Sequence, residues 1–412
     1  MRFMVLLVAT LLSFAAGVQA QLRTVSSQPV QASHHAFGPL AIEAGDYVYV
    51  SGQGPCRQDG STPANFADQL RQSLENVRSA LEAVGLTMDH LVYVQVYLED
   101  INQYGELDKV FADYFPKIPP ARAVLGVARV PEPPLQITAV AVRDLKGIQP
   151  VFPASFKPNK AYSPGMLTYD RLFVSTMPSS KPSSGKVLQN PAAQVDLALD
   201  SLTAVVEAAG LKMSNLVFVN PYMTREVPIR IMNEHYARRF EFGNTPARAT
   251  IEVSALPEGV HIAYTGVAVR DLSQRRAIRP KNMRPSPTAS PCVFAGDTLY
   301  CSAKSGFIPG PNGGVYAATP VEQVRQTMRN LLDNLEEADM RFDQVVSTTV
   351  YLDDLSESAV LEKVYRKYFN GALPAQTTVQ QTQPVERKPD EEGHYPDLEQ
   401  VSLIAVRNRP DR

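Results

Sequence analysis

The chain has 412 residues, 44% hydrophobic and 20% charged, and its 40 basic and 42 acidic residues leave a net charge of -2. This composition argues against a disordered chain, which would lack apolar residues, and against a nucleic-acid-binding protein that is basic along its whole length. A length of this order predicts two to four domains.

The first 20 residues predict a secretory signal peptide. Arg2 gives a positive start, residues 3–16 form an uncharged run, and Val18-Gln19-Ala20 places small residues where a cleavage site needs them. The uncharged run is short for a membrane anchor, which needs roughly 20 apolar residues. We therefore predict cleavage after Ala20 and an exported protein, periplasmic or extracellular, that has no membrane contact after cleavage.

The rest of the chain repeats itself three times. Four landmarks recur in one order at intervals of about 125–137 residues. They are a helix end at Gly85, Gly210 and Asp339, an aromatic pair at Phe111/Phe115, Tyr236/Phe240 and Tyr365/Phe369, a Pro-Ala-Arg or Pro-Ala-Gln motif ending at Arg122, Arg248 and Gln376, and an Ala-Val-Arg motif ending at Arg143, Arg270 and Arg407. We assign repeat 1 to residues 21–148, repeat 2 to 149–275 and repeat 3 to 276–412, with an acidic insertion at 385–397.

Each repeat is predicted to be an α+β unit with two helices. In repeat 1, a hairpin is followed by apolar residues at helical spacing from Leu70 to Val84, and Gly85 ends this helix. Residues 91–98 are β-branched or aromatic on both faces, as in a strand that is covered on both sides. A second helix follows, and residues 135–142 form a final strand.

Two helices can cover only one face of such a sheet. The other apolar face must therefore pack against something, and two sister repeats are present on the same chain. We predict that the three repeats close into one body and that the mature chain is a monomer. The alternative is three independent units joined by the Pro-rich segments near 146–158 and 273–289.

The three cysteines leave at least one thiol unpaired. A turn at Gly296-Asp297 would place Cys292 opposite Cys301 in a hairpin. Either a disulfide or two buried thiols fits this placement, because cross-strand spacing only sometimes suits the bond. Cys56 is interpreted as a structural loop thiol.

No histidine or cysteine spacing typical of a metal site occurs, so we predict no metal. The basic segment from Arg275 to Arg284 lacks interleaved aromatic residues and is interpreted as a solvated linker with no nucleic-acid partner. The acidic insertion is interpreted as a surface loop.

Several of these motifs together resemble the RidA family, also called YjgF-type or L-PSP endoribonuclease-like. They are Val50-Ser-Gly-Gln53, the helix end at Gly85, the segment from Pro-Ala-Arg122 to Ala-Val-Arg143, and its counterpart from Pro246 to Arg270. The resemblance covers the mature chain three times.

The resemblance implies a chorismate-mutase-like fold whose single-domain members form trimers with clefts at the interfaces. Three such domains on one chain would form an intramolecular pseudo-trimer. It also implies hydrolysis of reactive 2-imino or 2-aminoacrylate acids to 2-keto acids and ammonia, without a cofactor.

The family's carboxylate-binding arginine falls on Arg122 and Arg248, whereas repeat 3 has Gln376. A guanidinium meets a carboxylate as a planar fork that glutamine cannot reproduce. The resemblance therefore implies two substrate-binding clefts rather than three. The alternative is that each arginine ends a strand and pairs with a neighbouring acidic residue.

Other family positions carry different residues here. The acidic residue that is implied to manage the attacking water becomes Gln136, Ala263 and Gln400. The cysteine two residues beyond the arginine becomes Val124, Thr250 and Thr378, and the tyrosine after Gly-Pro becomes Leu40, Gly165 and Cys292. The weaker site candidates are Ser51, Gly52, Gln136, Thr250 and Gln400.

Three functions follow as hypotheses. The first is an exported imine or enamine deaminase that uses the two arginines, and the second is a non-catalytic module that binds a small carboxylate-bearing metabolite. RNA cleavage is the third, and an isoelectric point near 6.3 and the lack of a His–Lys constellation argue against it.

Overall fold

The structure, a computed structural model, describes residues 23–25, 38–157, 159–176, 187–281, 283–310, 313–369 and 373–407. The predicted signal peptide lies outside these residues. No helix in the described part of the chain has the length and apolar character needed to cross a membrane.

Each repeat forms a mixed sheet with two helices on one face, as predicted. Repeat 1 contains β1 (Arg23–Val25), β2 (Ala41–Ala44), β3 (Tyr47–Gln53), α1 (Phe66–Glu82), β4 (Leu91–Leu98), α2 (Tyr104–Tyr114), β5 (Ala121–Gly126) and β6 (Leu135–Val142). Repeat 2 contains β7 (Gln149–Val151), β8 (Gly165–Leu167), β9 (Arg171–Val174), α3 (Pro191–Ala208), β10 (Leu216–Met223), α4 (Ile229–Ala237), β11 (Ala247–Arg248), β12 (Ile251–Glu252) and β13 (Ile262–Val269).

Repeat 3 contains β14 (Arg275–Ile278), β15 (Cys292–Ala295), β16 (Thr298–Ser305), β17 (Ile308–Gly310), β18 (Gly313–Val315), α5 (Pro320–Glu337), β19 (Val345–Leu352), α6 (Ser358–Tyr365), β20 (Ala375–Gln380) and β21 (Glu399–Val406). The hairpin of β17 and β18 forms a small sheet of its own.

The three sheets share one topology. Their strand orders are β1-β2-β3-β6-β4-β5, β7-β8-β9-β13-β10-β11 and β14-β15-β16-β21-β19-β20, and β12 also pairs with β10. The last strand of each repeat pairs antiparallel with its two neighbours, while β4–β5 and β19–β20 pair parallel. This order places the strand that carries Arg122, Arg248 or Gln376 at the edge of its sheet, next to another repeat.

The first helix of each repeat ends in a left-handed residue. Gly85 and Gly210 have φ angles of 75° and 74°, and Asp339 occupies the same place with a φ of 55°. Glycine adopts this conformation at no steric cost, and aspartate tolerates it better than most residues. The helix end predicted at Gly85 is therefore confirmed.

The second face of each sheet packs against the sister repeats. Tyr97, Tyr222 and Tyr351 occupy equivalent positions and meet in one buried cluster, together with apolar residues of all three repeats. The hydroxyls of Tyr97 and Tyr351 are 3.4 Å apart, and Tyr222 donates to Gln95 at 3.0 Å. The intramolecular pseudo-trimer is confirmed, and the alternative of independent units is wrong.

A buried arginine ties the three repeats at the other end of this interface. Arg171 of repeat 2 is 4% exposed and donates to Thr298 Oγ1 at 2.8 Å and to the Tyr300 hydroxyl at 3.0 Å, both in repeat 3. Its guanidinium carbon also lies 4.3 Å from the ring centroid of Tyr47 in repeat 1. A single side chain therefore contacts all three repeats.

The basic segment does not behave as a solvated linker. Residues 275–278 form β14 and pair with β15, and the Arg275 guanidinium donates to the Leu216 and Asn244 carbonyls. The expectation for this part of the segment was wrong because the strand completes the third sheet.

Within that sheet, Cys292 and Cys301 face each other and are joined by a disulfide, and Cys56 is a free thiol.

Candidate functional site

Three equivalent serines join the repeats in a ring. The hydroxyl of Ser175 in repeat 2 accepts from the Arg122 backbone N–H of repeat 1 at 2.7 Å. Ser302 accepts from the Arg248 N–H at 2.8 Å, and Ser51 accepts from the Gln376 N–H at 3.1 Å. We call the three interfaces cleft 1 (Arg122), cleft 2 (Arg248) and cleft 3 (Gln376).

Cleft 1 holds a guanidinium that is only partly paired. The Arg122 side chain is 1% exposed, and its Nη2 donates to the carboxylate of Asp108, which projects from α2. Its Nε and Nη1 have no hydrogen-bond partner among the described residues, although both are buried. Since a buried donor without a partner is costly, each of these atoms indicates a place for an acceptor such as a carboxylate oxygen.

Aromatic rings surround the same guanidinium. Its carbon lies 4.7 Å from the ring centroid of Phe111, 5.1 Å from that of Tyr162 and 5.7 Å from that of Tyr104. Tyr162 belongs to repeat 2, as do Thr176, Pro257, Val260 and Ala263 of the cleft wall, whereas Val124 belongs to repeat 1. The cleft therefore needs two repeats to form.

The enclosed space beside the Arg122 guanidinium is about 20 Å³, which suits one water molecule. A single carboxylate oxygen is about the size of a water molecule, so such an oxygen fits this space and the rest of its ligand would lie near the mouth.

Cleft 2 holds its arginine through a neutral group. Arg248 Nη1 donates to Asn233 Oδ1 at 2.7 Å, and the guanidinium carbon lies 5.2 Å from the ring centroid of Tyr236. Burial lowers the pKa of Arg248, and the nearby Tyr236 and Tyr264 oppose this shift. The side chain stays protonated, because an arginine does not lose its proton in a protein near neutral pH.

Cleft 3 has no charged clamp. Gln376 Nε2 donates to Thr378 Oγ1 at 3.1 Å, and its Oε1 is buried without a partner among the described residues. Gly52 and Gln136 lie in the adjoining repeat, and a Cβ on Gly52 would lie 2.5 Å from the Gln136 side chain. This contact explains the glycine, and it places both weaker candidates with Ser51 on the repeat that faces Gln376.

Gln136, Ala263 and Gln400, which the motifs align with the family's acidic residue, occupy equivalent places in the three sheets. Gln136, Ala263 and Gln400 lie opposite Tyr97, Tyr222 and Tyr351 in the strand register. Ala263 lines cleft 1, which therefore presents a methyl group at this place. A carboxylate that could act as a general base is absent from this position in all three repeats.

Two buried acids of repeat 3 do not fill this gap. Burial raises the pKa of Asp397 to about 7 and that of Glu399 to about 8. Glu399 accepts from the Thr327 hydroxyl of α5, on the helix-covered face of the sheet. Since neighbouring residues of a strand point to opposite faces, Gln400 faces the other repeats instead.

Thr250, the remaining weaker candidate, has a buried hydroxyl without a partner among the described residues. The sequence analysis missed the groups that hold the two guanidinium groups, Asp108 and Asn233. They are 125 residues apart, the interval that separates Gly85 from Gly210. That interval could have revealed them as equivalent positions.

The sequence profile of the family described as endoribonuclease L-PSP matches residues 28–143, 152–269 and 282–386. The chain belongs to this family. Each match spans one repeat and includes, in turn, Arg122, Arg248 and Gln376. The fold and the three-copy organisation expected from the motifs are thereby confirmed.

Single-domain relatives match one repeat at a time. A RutC family protein from Pyrococcus horikoshii is 36% identical over 113 residues, which is 26% of this chain and 90% of that protein. The 2-iminobutanoate/2-iminopropanoate deaminase of Escherichia coli is 35% identical over 115 residues, 26% of this chain and 90% of that enzyme. The crystal structure of the YjgF gene product from E. coli aligns with 31% identity and a TM-score of 0.28, covering 30% of this chain and 99% of that one.

No group of three or more histidine, cysteine, aspartate or glutamate side chains within the described ranges is placed to hold a metal ion.

Proposed function

We propose that this protein is an exported hydrolytic deaminase that converts reactive 2-imino and 2-aminoacrylate acids to 2-keto acids and ammonia. The observation that carries the proposal is the buried Arg122 guanidinium, two of whose nitrogen atoms lack partners within the described part of the chain. The name of the E. coli relative, an iminobutanoate and iminopropanoate deaminase, supports the same substrate class.

The reaction requires the protein mainly to position the substrate and a water molecule. Water adds to C2 of the imine, forming a C–O bond, and the C–N bond then breaks while protons from water leave with ammonia. Arg122 or Arg248 would hold the substrate carboxylate, and pairing with a cation also makes C2 more electrophilic. Binding substrate and water together in one geometry lowers the barrier of a step that is already feasible in water.

A second function, binding a small carboxylate without catalysis, is favoured by one observation. Ala263 lines cleft 1 at the position of the family's acidic residue, and Gln136 and Gln400 replace it in the other repeats. Amides can orient a water molecule but cannot act as a general base at neutral pH. A single assay separates the two functions.

The assay follows ammonia release from freshly generated 2-iminopropanoate. We expect the mature protein to accelerate release over buffer, and the Arg122→Gln/Arg248→Gln variant to return the rate to that of buffer. Arg225→Gln is the matched control, because Arg225 is exposed and pairs with Glu252 outside the clefts. A wild-type rate equal to that of buffer would rule out the deaminase and leave the binding module.

We also propose that the mature chain is a monomer in solution. The apolar face that single-domain relatives would need to cover is already buried between the three repeats. Sedimentation should therefore give the mass of one chain. A stable trimer of whole chains, or limited proteolysis that releases soluble single repeats, would contradict this expectation.

A further inference from the structure

The two arginine clefts differ in charge at one pair of equivalent positions. Asp108 in α2 receives a hydrogen bond from Arg122, and Asn233 in α4 receives one from Arg248. The first pair is neutral overall, whereas the second keeps the full positive charge of its guanidinium. In cleft 1, the carboxylate of a ligand would therefore lie near the Asp108 carboxylate as well as the Arg122 cation. In cleft 2, it would lie near the Arg248 cation and the neutral amide of Asn233.

Further negative charge lies near cleft 1. Burial raises the pKa of Tyr104 and Tyr162, and the charges of Asp108 and Glu258 add to this effect while Arg122 opposes it. Glu258 is exposed, and it lies between Pro257 and Val260 of the cleft wall. Two carboxylates thus act on the tyrosines that line this cleft.

In the ion pair of cleft 1, Asp108 is the more accessible partner. The Asp108 side chain is 27% exposed, compared with 1% for Arg122. The faces of Tyr104 and Tyr162 lie within 6 Å of the guanidinium carbon, and such faces also attract an ammonium group. Cleft 1 therefore combines donors for a carboxylate with an acceptor and aromatic faces for a cation.

We propose that Asp108 makes cleft 1 selective for zwitterionic α-amino acids, and that Asn233 leaves cleft 2 selective for anionic 2-oxo and 2-imino acids. The amino acid carboxylate would accept from Nη1 of Arg122, and its ammonium group would pair with Asp108. This inference rests on the proposed function, because it assumes that both arginines bind carboxylates.

L-Alanine and pyruvate form a matched pair of probes. They share a carbon skeleton, but alanine carries an ammonium group at C2 where pyruvate carries an oxo group. Calorimetric titrations would use the wild-type chain and the variants Asp108→Asn and Asn233→Asp. Each variant introduces the residue that the other cleft already has, so both side chains fit their surroundings. Thermal unfolding would establish that each variant is folded.

In Asp108→Asn we expect alanine affinity to fall by about tenfold or more, because a charge-assisted hydrogen bond is lost, and the weaker pyruvate site to tighten. In Asn233→Asp we expect the tighter pyruvate site to weaken by a similar factor and a second alanine site to appear. Glu106→Gln removes the same charge from an exposed position on α2, where Glu106 pairs with Lys109, and should change neither affinity.

The outcomes separate this inference from the proposed function. If both probes bind but the exchange of Asp108 and Asn233 leaves the ratio of their affinities unchanged, the charge assignment is overturned and the arginine clamps remain. If neither probe binds the wild-type chain, carboxylate binding fails and this inference fails with it.

Discussion

Pyruvate should saturate this protein at two molecules per chain, with the tighter site at Arg248 and the weaker one at Arg122. Cleft 3 should stay empty, because Gln376 offers an uncharged amide that already bonds to Thr378. Losing a charge-assisted, bidentate pair in a cleft that is partly dry costs about 2–5 kcal/mol of affinity. If the arginine clefts bind pyruvate with millimolar affinity or weaker, a cost of that size makes binding in cleft 3 too weak to measure.

Variants resolve the two sites. Arg248→Gln should remove the tighter phase of a calorimetric titration, Arg122→Gln should remove the weaker phase, and the double variant should bind no pyruvate. Arg225→Gln makes the same chemical change at an exposed position and should retain both phases. Three equivalent sites, or unchanged binding in the double variant, would show that Arg122 and Arg248 have structural roles and that the site assignment is wrong.

Local patterns in the sequence predicted the elements well. The strands expected at 91–98 and 135–142 are β4 and β6 with the same bounds. For residues 91–98 the apolar side chains on both faces are typical of a doubly covered strand. The helix expected from Leu70 to Val84 is α1, whose apolar face is buried from Leu70 to Leu81. The repeat interval then extended these predictions to all three sheets.

Contacts between repeats were harder to predict, because they join residues that are far apart in sequence. Nothing near Arg122 indicates that Tyr162 of the next repeat lies against it, or that Asp108 rather than a ligand is its first partner. The prediction that the basic segment is a solvated linker was wrong for the same reason, because part of the segment forms β14. Its sequence is polar, and the sheet that it completes is formed by residues that follow it.

Arg171, the buried arginine that contacts all three repeats, illustrates the same limit and leads to the second prediction. Tyr47, Arg171 and Thr298 begin equivalent strands, yet only repeat 2 places a charge there. A charged residue at the start of a strand ordinarily faces water. Here the neighbouring repeats supply two hydroxyls and an aromatic face, and Asp170 supplies a carboxylate at 3.2 Å.

Arg171→Met should therefore destabilise the folded chain by about 2–4 kcal/mol. Methionine keeps most of the volume but leaves Thr298 and Tyr300 without their donor and removes the cation beside Asp170. Breaking a buried pair by removing one partner typically costs about 3–5 kcal/mol, and we reduce this figure because the Asp170 side chain is 28% exposed.

Urea denaturation measures the effect, with Arg230→Met as the matched control on an arginine whose side chain is 84% exposed. Adding Asp170→Asn to Arg171→Met should restore part of the loss, because it removes the negative charge that the first change left without its cation. Since Arg171 contacts all three repeats, the single variant should also become more susceptible to limited proteolysis between repeats. A free energy of unfolding within about 0.5 kcal/mol of wild type would mean that the apolar interfaces alone hold the three repeats together.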